Sequence, residues 1–192
     1  MDPITAVTEA PAGLSTFGTV YSEEVDDIRL IAAFSPDGVA YGTVDAPDIV
    51  GGTVQSAVSG ESGLVAVGES TDPDLNFTGL ALHSADGQSW TEGSASDASF
   101  DGADVLLVEA VPGGYVAIGL LPDPEEFGVS SGQSWKSPNG VSWSALAPFG
   151  SSFTRVSSSA AGPAGVVAFT VEETGFEGED VTSTPEAWLL AP

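Results

Sequence analysis

The chain has 192 residues, 42% of them apolar, with 24 Gly, 13 Pro and no Cys. That suffices for one good-sized core in a turn-rich, ordered protein, and it excludes a disulfide scaffold and a thiolate metal site. Against 28 acidic residues stand only Lys136, Arg29 and Arg155, a formal charge of −25 that repels nucleic acid and anionic membranes alike.

In chain order, Ile4 to Glu9 reads as a weak strand. A glycine-led stretch, Gly13-Leu14-Ser15-Thr16-Phe17-Gly18, follows it, and then a turn closed by an aromatic, Ser35-Pro36-Asp37-Gly38-Val39-Ala40-Tyr41. The same order returns in Gly63-Leu64-Val65-Ala66-Val67-Gly68, the strand Leu80 to Ser84, and the turn Ser84-Ala85-Asp86-Gly87-Gln88-Ser89-Trp90. It returns again in Asp104 to Val111, Gly114-Tyr115-Val116-Ala117-Ile118-Gly119, Gln133 to Ser137, and Ser137-Pro138-Asn139-Gly140-Val141-Ser142-Trp143. The last copy has Gly165-Val166-Val167-Ala168-Phe169-Thr170, and its Trp188 stands 53 residues after Trp135. The leading glycines step by 50, 51 and 51 residues and the closing aromatics by 49 and 53. Two independent markers on one period specify a duplicated unit, with copies at approximately 1–46, 47–96, 97–148 and 149–192.

Each unit reads as four short strands, and helix signals are nearly absent. The second strand is apolar at successive positions, as in Leu64-Val65-Ala66-Val67, so both of its faces are expected to be covered. A four-stranded sheet packed between two like sheets satisfies this, and radial repetition of such sheets is a β-propeller. In Asp86-Gly87 and Asn139-Gly140 the glycine supplies a positive φ, and the short polar side chain can bond the backbone just beyond it.

The pattern S-x-D/N-G-x-x-aromatic resembles the Asp-box, or BNR repeat, of sialidase-like β-propellers, and the repeat covers essentially the whole chain. It departs from that family in having one residue fewer between the acidic position and the aromatic, and Asn139 in place of Asp. The resemblance implies that Asp37, Asp86, Asn139, Tyr41, Trp90 and Trp143 are structural and lie on the face away from any ligand site, the aromatics filling the wedge between blades. The expected fold is all-β: one propeller domain of about four blades, three complete four-stranded units and one three-stranded unit, or part of a larger propeller. The edge after Trp188 is expected to be covered by Ile4 to Thr8 or by a second chain.

The loops joining second to third strands should all emerge on the face opposite the Asp turns. They carry Glu23, Glu24, Asp26 and Asp27; Glu69, Asp72 and Asp74; Asp123, Glu125 and Glu126; and Glu172, Glu173, Glu177, Glu179 and Asp180. About half of the acids thus fall in about a seventh of the chain, which general solubility does not explain. Phe77, Phe127 and Phe176 stand among them. This reads as an acidic, aromatic-studded face for a cationic protein or a glycan ligand. Asp72, Asp74, Asp123, Glu125 and Glu126 supply hard oxygen ligands for calcium, although without EF-hand spacing.

Catalytic signals are thin. The resemblance implies a sialidase site with three arginines, whereas this chain has two, which sets that activity aside. One histidine, His83, and no cysteine leave triads and zinc sites little to build on. The reading is a non-catalytic binding or scaffolding module acting through its acidic loop face. The alternatives are a glycan-acting hydrolase with a carboxylate pair on that face and an assembly subunit that self-associates through its open last blade. Two carboxylates with raised pKa values in one pocket would favour the hydrolase, and separated, solvated carboxylates the binding module. No apolar run is long enough to insert in a membrane, and Met1-Asp2-Pro3-Ile4 has no signal-peptide character. The expected location is extracellular or at the cell surface with the leader removed, a cytoplasmic one being the alternative.

Overall fold

The computed structural model describes residues 4–71, 77–93, 100–123, 130–150, 154–174 and 182–190. These form fifteen strands in four sheets, and the described residues contain no helix. Blade 1 consists of β1 (Ile4–Ala10), β2 (Gly13–Ser22), β3 (Asp27–Ser35) and β4 (Gly42–Thr43). Blade 2 consists of β5 (Gly52–Gly60), β6 (Gly63–Thr71), β7 (Phe77–Ser84) and β8 (Thr91–Glu92). Blade 3 has β9 (Asp104–Val111), β10 (Gly114–Pro122), β11 (Ser130–Ser137) and β12 (Ser144–Ala145), and blade 4 has β13 (Thr154–Gly162), β14 (Gly165–Thr174) and β15 (Thr182–Leu190). Within every sheet the strands lie in chain order and pair antiparallel, the meander expected of a propeller blade.

The two sequence markers repeat together because they touch. A Cβ added to Gly114 would meet the carbonyl oxygen of Ser137 at 2.1 Å, and one added to Gly63 would meet that of Ser84 at 2.6 Å. The serine that opens the Asp turn therefore requires a bare backbone at the start of the neighbouring strand.

The core lies in three slabs between consecutive blades. Leu64 and Ala66 of β6 face blade 1, in one cluster with Phe17, Leu30 and Ala32, while Val65 and Val67 face blade 3, with Val105, Tyr115 and Trp135. That is the physical meaning of the continuous apolar run: a period of two sends alternate residues to opposite faces, and both are covered. The third slab joins Val116 and Ile118 to Val166, Ala168 and Leu190.

The outer strand of blade 2 is the two-residue β8 just after Trp90, whose N–H bonds to the Asp45 carbonyl of blade 1 at 2.9 Å. Two expectations are corrected. The second strands of the end blades are not covered on both faces. In β14, Val166 and Ala168 are fully buried but Phe169 is 44% exposed, because blade 4 buries only its blade 3 side. Finally, Ile4–Ala10 is the first strand of blade 1 and pairs with β2, so it does not cover β15, which remains the edge of its sheet. The first strands β1, β5, β9 and β13 pack in succession, and no comparable packing joins β13, β14 or β15 to blade 1 among the described residues.

Candidate functional site

The Asp turns are structural, as expected. Oδ1 of Asp86 accepts the backbone N–H groups of Gln88 at 2.8 Å and Ser89 at 3.2 Å, while Ser84 Oγ accepts that of Gly87 at 2.8 Å. Asp37 and Asn139 repeat the pattern with Val39 and Ala40 and with Val141 and Ser142. These donors hold the Asp37 and Asp86 carboxyls below the usual range; for each, the first N–H beyond the turn, Val39 or Gln88, is the main cause. Trp90 and Trp143 are buried between blades, each donating Nε1–H to the turn glycine's carbonyl at 3.2 Å. Tyr41 departs from the expectation. It is 43% exposed, and among the described residues no blade packs on that side of blade 1.

The opposite ends of the second strands carry the acids. In blade 1, Asp26 sits at φ 55° and accepts a hydrogen bond from the Tyr21 hydroxyl, Asp27 Oδ1 accepts the Ile28 N–H at 2.7 Å, and Arg29 reaches Glu24 at 4.0 Å and Asp48 at 2.7 Å. The bond to Asp26 is the main reason the Tyr21 hydroxyl is raised above its ordinary pKa. Glu23 is exposed. Three of the four acids of this loop are thus engaged locally and do not converge as a cage. Asp72, Asp74, Glu125, Glu126, Phe127, Phe176, Glu177, Glu179 and Asp180 lie outside the described residues. Asp123 is exposed just beyond β10. Among the described residues, no group of three or more His, Asp or Glu side chains could hold a metal ion.

One cluster does converge there. A cleft of about 160 Å³ opens between blades 2 and 3, lined by Glu69, Phe77, Asp104, Leu120, Pro122 and Ser130. Glu69 belongs to β6 and not to the loop, because the strand runs on to Thr71; it sits two residues beyond Val67 and so faces blade 3 as Val67 does. Asp104 opens β9 opposite Leu120. The two carboxyls are hydrogen-bonded to one another. Burial raises Glu69 above the usual carboxylate range, helped by the charge of Asp104, and burial raises Asp104 against the relief that Glu69 gives it. Asp104 Oδ1 is itself buried without a hydrogen-bond partner among the described residues. Phe77 flanks the pair at the start of β7 and is 47% exposed. Glu69 and Phe77 stand out in the sequence as members of the loop set. Asp104 does not, since its one signal is an acid at the head of an apolar first strand.

No family model matches the chain, and no curated protein matches it. Solved structures do. The chain is similar to the GH32 β-fructofuranosidase of Bombyx mori, at 11% identity and a TM-score of 0.57, over 97% of this chain and 46% of that one. It is also similar to a mutant of the Aleuria aurantia lectin in complex with α-methyl-L-fucoside, at 14% identity and a TM-score of 0.51, over 96% of this chain and 63% of that one. The chain therefore spans about half to two thirds of the length of these proteins. At such identities the likeness shows the fold, a β-propeller, in agreement with the four sheets.

Proposed function

We propose that the chain is a non-catalytic, glycan-binding propeller module that takes one edge of a neutral sugar into the cleft between blades 2 and 3. The observation that carries the reading is an exposed aromatic, Phe77, beside two hydrogen-bonding carboxyls in a cleft on the face away from the Asp turns. A sugar ring has an apolar C–H face for the phenyl ring and hydroxyls that donate to carboxylate oxygen. A buried acceptor without a donor costs about 1–3 kcal/mol, so Asp104 gains from a hydroxyl that enters. The volume is well below the roughly 300 Å³ of a drug-sized pocket, which suits one residue of a glycan. A charge of −25 disfavours sulfated or sialylated chains. Of the two similar solved structures, one is a β-fructofuranosidase and one a lectin holding a fucoside, which supports this reading.

Hydrolysis is the second reading, favoured by the raised pKa values of the pair. Spacing opposes it. Glu69 and Asp104 are in hydrogen-bonding contact, whereas a retaining glycosidase separates its carboxyls by about 5–5.5 Å and an inverting one by about 6.5–9.5 Å. Saturation-transfer NMR and calorimetry with α-methyl-L-fucoside and a panel of neutral monosaccharides test the proposal. Binding with Kd in the range of about 1 mM, weakened tenfold or more by Phe77→Ala and by Asp104→Asn, is expected. Absence of binding at any sugar in the panel overturns it, and release of reducing sugar from an oligosaccharide would move the assignment to the hydrolase.

A further inference from the structure

We infer that the two ends of the blade series are halves of one interface, and that a second copy of this chain supplies the missing half, blade 4 of one molecule packing on blade 1 of the next. At each internal junction a second-strand residue of one blade meets the turn aromatic or third strand of the following one. Phe17 meets Trp90 edge-on with ring centroids 4.8 Å apart, Val67 shares a core with Trp143, and Ile118 shares a core with Trp188. Phe169 is the next member of the series Phe17, Val67, Ile118, and it points away from blade 3. Tyr41 is the aromatic of the same turn as Trp90 and Trp143, and no preceding blade reaches it.

The faces around these two residues match in character. On blade 1 an apolar groove of about 150 Å³ is lined by Ile4, Phe17, Gly18, Ile31, Ala33 and Tyr41 among others, and none of the lining residues is charged. A cavity of that size is one that takes a benzene ring. On blade 4, Ala160, Ala187 and Leu189 are exposed beside Phe169, Leu189 at 63%. The lining of the blade 1 groove and the blade 4 residues Ala160, Phe169, Ala187 and Leu189 carry no charge in a chain with 28 acids, Arg155 standing at the margin of the second strip opposite Val171, which points to burial of apolar surface against a like partner. The Asp turns add a third match. Ser15 Oγ of blade 1 donates to the Gly87 carbonyl of blade 2 at 3.0 Å, seating one turn on the first hairpin of the preceding blade. The turn of blade 1 has no such seat, and its Val39 is 83% exposed. The hairpin between β13 and β14, at the other end of the chain, is the corresponding seat.

Among the described residues no comparable packing joins blade 4 to blade 1 within one molecule. The contact with a second copy is heterologous, using different surfaces on the two molecules.

Sedimentation equilibrium of the wild type, Tyr41→Glu and Phe169→Glu, each alone and mixed, tests this, with circular dichroism melts showing that both variants fold. The wild type is expected to associate, and each variant alone to be monomeric. The equimolar mixture is expected to form a one-to-one dimer, because each variant retains the end that the other lacks. A wild type that stays monomeric at about 100 μM, where a contact of μM Kd is saturated, overturns the inference. So does a mixture that stays monomeric, or a variant that self-associates as well as the wild type.

Discussion

Trp90 and Tyr41 occupy the same place in the repeat and opposite environments, so truncating each to alanine isolates what burial contributes. Trp90 is 3% exposed, meets Phe17 edge-on and donates Nε1–H to Gly87. Removing so large a buried aromatic costs about 3–5 kcal/mol, and the edge-to-face contact, itself about 0.5–1.5 kcal/mol, places this site in the upper half of that range. For a domain of this size each kcal/mol lowers Tm by about 2–4 °C, which gives a fall of roughly 8–20 °C. Tyr41 keeps nearly half of its surface in water, so Tyr41→Ala removes only about 1 kcal/mol of burial and lowers Tm by about 2–4 °C. Thermal melts followed by circular dichroism at dilute protein, where association does not contribute, measure both. Equal losses at the two sites would refute the reasoning, since the repeat position and not the packing would then set the cost.

Glu69→Gln is expected to stabilise the fold near neutral pH and to lose that advantage in acid, as read from melts between about pH 4 and 8. The sign follows from burial raising both carboxyls: stability linked to such groups is fully present below their ordinary pKa and lost as pH rises through the folded value. At Asp86 the sign is opposite. Its pKa is lowered by the turn N–H groups, so its contribution is present above the ordinary value and lost as pH falls, and Asp86→Asn should remove that pH dependence while keeping the turn, as Asn139 does in blade 3. A stability profile unchanged by the substitution would count against this. Gly63→Ala should destabilise by more than about 1 kcal/mol in a denaturant melt, because φ is 118° and a Cβ would stand 2.6 Å from the Ser84 carbonyl oxygen.

The blade was legible in the order of amino acids alone. A bare glycine against the carbonyl of a turn serine, an Asp or Asn oxygen gathering two N–H groups, and a second strand apolar at every position are local requirements, so they recur in the chain wherever the unit does. What surrounds a blade is different, because burial is set by neighbours that lie about fifty residues away along the chain. Tyr41 and Trp90 read alike in the sequence, yet one is open and the other closed, and the apolar run of β14 is covered on one side only. The acid pair shows the same division. Glu69 and Asp104 are 35 residues apart and belong to different blades, and only the packing of blade 3 on blade 2 desolvates them and brings them into hydrogen-bonding contact.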